Sequence, residues 1–217
     1  MIDYRKFRLS KINTPEFSHV KLLIFWIIFG LFFASQERLF TFDYHLVYCK
    51  LDDLIPFCAV FVIPYFLWFA YLVWCHLYTL LFDIPLFKKF MWFLIVSFTI
   101  TTIIYFIYPT YQNLRPTEIT GDSVFIRIVK FLYDLDTPTN VCPSLHVIAA
   151  VGVSITMWNS RRFSTPAWRI VFTILTILIC ISTVFVKQHS CIDLIAGAAV
   201  CIVSYPISCL ICRKSRN

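Results

Sequence analysis

The chain has 217 residues, 59% of them hydrophobic and 18% aromatic, with four glycines and a mean hydropathy of +0.77. This composition excludes an ordinary soluble domain and predicts a multi-pass membrane protein. The formal charge of +7 sits at the ends of apolar runs, where membrane topology explains it without a nucleic-acid partner.

A span needs about 20 mainly apolar residues. Six runs fit, at about 22–36, 54–82, 90–108, 143–159, 168–186 and 190–211, in a single domain over 1–217 with an outer loop at 109–142. The first run follows Arg5, Lys6, Arg8 and Lys11 and lacks a small-residue cleavage site, so it reads as a retained helix rather than a signal peptide. A polar stretch from Gln36 to Asp53 leads to the second run, whose entry and kink are assigned to Pro56 and Pro64. Asp83-Ile84-Pro85, with Lys88 and Lys89, turns the chain into the third.

In the outer loop, Val124, Phe125, Ile128, Val129, Phe131, Leu132 and Leu135 fall on one helical face, opposite Arg127, Lys130 and Asp134. The pattern predicts an amphipathic helix at the membrane surface, capped by Asp122 or Ser123, which either gates lipid entry or covers the bundle. The expected fold is all-α: six transmembrane helices with this interfacial helix between spans three and four.

Charge asymmetry orients the bundle. With both termini cytoplasmic, Arg5, Lys6, Arg8, Lys11, Lys21, Lys88, Lys89, Arg161, Arg162, Arg169, Arg213, Lys214 and Arg216 lie inside, 13 of the 19 basic residues. The nine cysteines lie mostly within apolar segments, as packing thiols do. Cys142 and Cys191 flank polar motifs on one face, where either a disulfide or two packing thiols fits.

Three polar groups meet on the extracytoplasmic face: Arg115-Pro116 after the third run, Pro143-Ser144-Leu145-His146 at the fourth, and His189 four residues before Asp193 at the sixth. On a helix the last pair shares a face, so Asp193 orients one ring nitrogen of His189 and leaves the other free to act. Proline suits the first position of a helix, where free amides attract phosphate. Arg115 and Ser144 supply phosphate-binding donors, and two histidines bracket the phosphorus, one attacking and one protonating the leaving oxygen. The expectation is phosphoryl transfer without a metal or cofactor.

These motifs resemble those of the type 2 phosphatidic acid phosphatase superfamily of integral-membrane lipid phosphatases and phosphotransferases: Lys-x6-Arg-Pro, Pro-Ser-Gly-His and Ser-Arg-x5-His-x3-Asp. The resemblance covers residues 115–193. It implies a phosphohistidine on His189 supported by Asp193, His146 as general acid, and phosphate binding by Arg115 and Ser144. Three positions differ: Tyr108 replaces the lysine, Leu145 the glycine and Thr183 the arginine. The Pro-Ser-Leu-His form, with His189-x3-Asp193-Leu194-Ile195-Ala196-Gly197, is similar to the inositol phosphorylceramide synthase branch. A less cationic site suits a singly charged phosphodiester better than a monoester; Lys187, Arg127 and Lys130 are the candidates to replace the lost charge.

The resulting expectation is a lipid phosphate phosphatase acting on a phosphate ester or diphosphate, with water as acceptor. The alternatives are a phosphotransferase using a lipid or polyol hydroxyl and a non-enzymatic transporter or scaffold. Expected partners are a lipid phosphate substrate and membrane lipids, with the oligomeric state open.

Overall fold

A computed structural model describes residues 2–39 and 43–214. The architecture is helical: α1 (Ile24–Leu39), α2 (Lys50–Leu54), α3 (Val62–Phe82), α4 (Ile84–Ile107), α5 (Val124–Leu135), α6 (Leu145–Trp158), α7 (Pro166–Phe185) and α8 (Cys191–Lys214). Two short strands, β1 (His45–Leu46) and β2 (Thr110–Tyr111), pair in parallel and tie the outer connections together.

Among the described residues, five segments are long and apolar enough to cross a membrane: Ser18–Gln36, Ala59–Phe82, Ile84–Ile107, Pro166–Phe185 and Cys191–Lys214. The fourth expected run instead forms the 14-residue α6. At 1.5 Å per residue it is about 21 Å long, short of a hydrocarbon core of about 30 Å.

Local chemistry sets the other boundaries. The second run is interrupted: Pro56 pushes Ile55 into extended backbone (φ −91°, ψ 113°), ending α2 before α3 begins. Pro64 lies in the first turn of α3, where its missing N–H costs little. The third run starts six residues early, because Asp83 accepts the Leu86 amide at 3.1 Å and Pro85 occupies the first turn of α4. Lys88 and Lys89 therefore belong to the helix.

Helices α4 and α6 form the centre, with Phe90, Leu94 and Phe98 packed among Ile148, Ala149, Val153, Met157 and Ile179. Within a membrane such packing, rather than hydrophobic burial, holds helices together. Gly152 permits the approach, since a Cβ there would meet the Phe93 ring at 2.6 Å. The amphipathic helix α5 forms over its expected range, capped by Ser123. Its apolar face divides: Val129 and Leu132 are buried against Val62, Tyr65 and Val186, while Val124, Phe131 and Leu135 stay exposed.

Candidate active site

The tight connection between α7 and α8 aims His189. The Thr183 carbonyl accepts both the Gln188 and His189 amides, at 2.9 and 3.1 Å, and Lys187 takes a left-handed conformation (φ 54°). His189 therefore precedes α8 instead of lying on it. Asp193, in the first turn of that helix, reaches back as a capping carboxylate: its Oδ2 accepts the Ser190 amide at 2.9 Å and stands 3.0 Å from His189 Nδ1. The expected pairing is present, made by a helix cap rather than by a shared helical face.

The start of α6 supplies the opposite side. Ser144 is the N-cap, so Pro143 stands before the cap and outside the first turn. The Ser144 amide donates to the Asp193 carbonyl at 3.1 Å, stitching the starts of α6 and α8 together. Ser144 Oγ and His146 Nδ1 each lie 3.3 Å from His189 Nε2. The His146 ring is held between Tyr65 and Trp68, with centroids 4.6 Å away on each side. Gly197 allows this join, because a Cβ would meet the Ser144 carbonyl at 3.0 Å.

Arg115 is placed differently from the other expected site residues. Its guanidinium donates to Gln188 Oε1 at 3.1 and 2.6 Å, to the Tyr133 carbonyl at 3.2 Å and to the Asp136 carbonyl at 2.6 Å. It also lies over the Tyr133 ring. Arg115 thus braces the α5 end against Gln188, one residue from His189, and is absent from the pocket lining. That pocket is walled by Tyr105, Asp136, Asn140, His146, Gln188 and His189, among others, with no Lys or Arg among the described residues that line it. Burial pushes the Asp136 carboxyl above its ordinary range, against the pull of Tyr65, His189 and Arg115.

The three candidate replacement cations are elsewhere. Lys187 Nζ is tied to the carbonyls of Asp52 and Ile55, Arg127 pairs with Asp122 on the exposed face of α5, and Lys130 lines a separate groove. Tyr108 stacks on His45, and Thr183 Oγ1 donates to the Cys180 carbonyl. Cys142 and Cys191 remain thiols. Cys191 faces Cys49 and Asp52, whereas the Cys142 thiol is pushed up to about 12 by burial and by Asp193.

The family model of the PAP2 superfamily matches residues 31–207, a span that contains this whole pocket. The chain belongs to the PAP2 superfamily. No curated protein and no solved structure matches it. Membership supports an enzyme of the phosphatase or phosphotransferase type in a membrane setting.

Within this superfamily member, four residues outside the motif reading shape the site. Asp52 accepts Ser190 Oγ at 2.6 Å and the Cys49 and Cys191 amides at 2.8 Å each, so a carboxylate from α2 caps α8 beside the nucleophile. Gln188, Asp136 and Asn140 line the pocket itself. The only sequence signal for Asp52 was an acidic pair just before an apolar run. The others belong to no motif and reach the pocket through tertiary packing.

Proposed function

We propose that this protein cleaves a phosphate ester or diphosphate of a lipid at the extracytoplasmic face through a phosphohistidine on His189. The observation that carries this reading is that His189 Nε2 stands 3.3 Å from both His146 Nδ1 and Ser144 Oγ while Asp193 holds the opposite nitrogen. With Nδ1 keeping its proton toward Asp193, the Nε2 lone pair attacks phosphorus. The N–P bond forms as the ester P–O bond breaks, and the leaving oxygen takes a proton from His146. Water then gives a proton to His146 and attacks the phosphorus, breaking the N–P bond and restoring both histidines. Substrate must first part His189 from His146, because their 3.3 Å separation leaves no room for phosphorus.

One observation favours a second reading, in which a lipid or polyol hydroxyl replaces water. Among the described residues the pocket walls carry no Lys or Arg, which suits a phosphodiester and agrees with the likeness to inositol phosphorylceramide synthase. For topology we take six crossings with both termini cytoplasmic, α6 being the short one. The 13 basic residues on one side and the convergence of the motifs at the other end support this arrangement.

The test is to incubate detergent-purified wild type and His189→Ala with phosphatidic acid, phosphatidylglycerol phosphate, polyprenyl diphosphate and phosphatidylinositol, with and without added alcohol. Release of inorganic phosphate without alcohol indicates the hydrolase, and alcohol-dependent product formation the transferase. Full activity in His189→Ala would end the phosphohistidine reading, and an unchanged cellular phenotype in that variant would favour a scaffold.

A further inference from the structure

Among the described residues that line the pocket, Asn140 is the one whose side chain is buried with both polar atoms unpaired. It is 4% exposed, and neither Nδ2 nor Oδ1 has a hydrogen-bond partner. Leaving such a side-chain amide unsatisfied is costly, and buried polar groups are normally paired. Its neighbours explain why it stays in place. The Asn140 amide donates to the Thr110 carbonyl at 2.6 Å, Tyr111 bridges Thr139, and the Gln112 amide donates to the Pro138 carbonyl at 3.0 Å. Its backbone is left-handed (φ 53°), a conformation that Asn, Asp and Gly accept more readily than other residues. The chain thus holds an unused donor and acceptor in the wall shared by His146 and His189.

The pocket has room for such a donor's task. Phosphoryl transfer spreads negative charge over the non-bridging oxygens, and fixed donors aimed at them stabilise the transition state. Thr183 stands where related motifs have arginine and is turned into α7, and Arg115 is bound to the wall. Gln188 is also engaged, donating to Asp136 and accepting from Arg115. Asn140 alone among these keeps an uncommitted N–H pair.

We propose that Asn140 is a substrate-binding residue. Its Nδ2 donates to a non-bridging phosphoryl oxygen while Oδ1 accepts from a hydroxyl of the incoming water or alcohol. This rests on the phosphoryl-transfer reading above and specifies how a pocket with no lysine or arginine among its described lining residues binds its phosphate. A neutral amide in place of a cation makes the site selective for a phosphoryl group of low charge.

Orthovanadate, whose five-coordinate geometry mimics the transition state, provides a test independent of turnover. Its binding to detergent-purified full-length protein is measured by thermal shift for wild type, Asn140→Gly, Asn140→Asp and His189→Ala. Both Asn140 substitutions tolerate the left-handed backbone, and the aspartate is nearly isosteric, so a folding defect in the glycine variant leaves the aspartate variant decisive. Loss of one donor to a charged group predicts binding about 10–100-fold weaker in Asn140→Gly, and a larger loss in Asn140→Asp, which sets a carboxylate against the anion. Vanadate binding within about twofold of wild type in both variants overturns the proposal, as does a wild-type protein that binds no vanadate. If His189→Ala retains lipid phosphate turnover while the Asn140 variants lose vanadate, the phosphohistidine reading falls and Asn140 as a phosphoryl-binding residue stands.

Discussion

The two sides of the pocket are built on opposite plans. On the side of the proposed nucleophile, His189 is held by Asp193, Asp193 by the Ser190 amide, and Ser190 by Asp52 from the far-off α2. Across from it, the wall offers Asn140 unpaired and draws Arg115 away into contacts with Tyr133, Asp136 and Gln188. Aiming a histidine calls for side chains whose torsions are fixed in the resting protein, as His189 and Asp193 are through Asp193 Oδ2, since each unfixed torsion costs rate. Receiving phosphoryl oxygens calls for donors left open until substrate arrives. Arg115 braces the wall here, while the pocket is lined by Asn140, Gln188 and Asp136.

Substitutions sharpen this contrast. The largest effect is expected for His189→Ala, with turnover and phosphoenzyme labelling both lost by more than about 10³-fold; labelled phosphate retained on the variant would break the assignment. His146→Ala should cost roughly 10²–10⁴-fold with an alkyl phosphate and much less with a nitrophenyl phosphate, whose leaving group needs no proton. An equal loss with both substrates would remove the general acid. Asp193→Asn should reduce turnover by about 10²-fold through misoriented imidazole, measured at unchanged thermal stability.

Smaller effects test the scaffold of the closed side. Asp52→Asn should lower stability by about 1–3 kcal/mol in thermal or denaturant unfolding, because the cap of α8 loses its best acceptor. Burial raises the Asp52 pKa, but the Ser190 hydroxyl and the Cys191 and Cys49 amides together hold it below the ordinary value. A carboxylate held low stabilises the fold above its unfolded pKa of about 4 and loses that contribution as pH falls through the lowered value. Wild type and Asp52→Asn should therefore converge in acid. Gly197→Ala should cost about 1 kcal/mol by pressing on the Ser144 carbonyl, seen as a lower melting temperature with turnover reduced in parallel.

Much of the architecture was legible in the chain because its signals are local. Apolar runs of membrane length, the 3.6-residue pattern of Val124 to Leu135 and the Ser123 cap each depend on neighbours a few residues apart. The run at Leu145–Trp158 shows the limit of that approach: its apolar content resembles the other spans, but the Ser144 cap and the turn after Trp158 shorten it. Of the site, His146, His189, Asp193 and Ser144 converge as their spacing suggested. Arg115 has the residue type of a phosphate clamp, and only the position of α5 turns it toward carbonyls instead.

The sequence by itself determined a helical membrane protein with a histidine–carboxylate pair beside a Pro-Ser-x-His turn, because hydropathy and short spacing act within single segments. Only the tertiary structure decided which polar groups are already satisfied and which are left waiting. Asp52, 137 residues before His189 in the chain, and Asn140, held by β2, acquire their roles through contacts between distant segments. A hydrogen bond saturates a donor at about 3 Å whatever the separation along the chain.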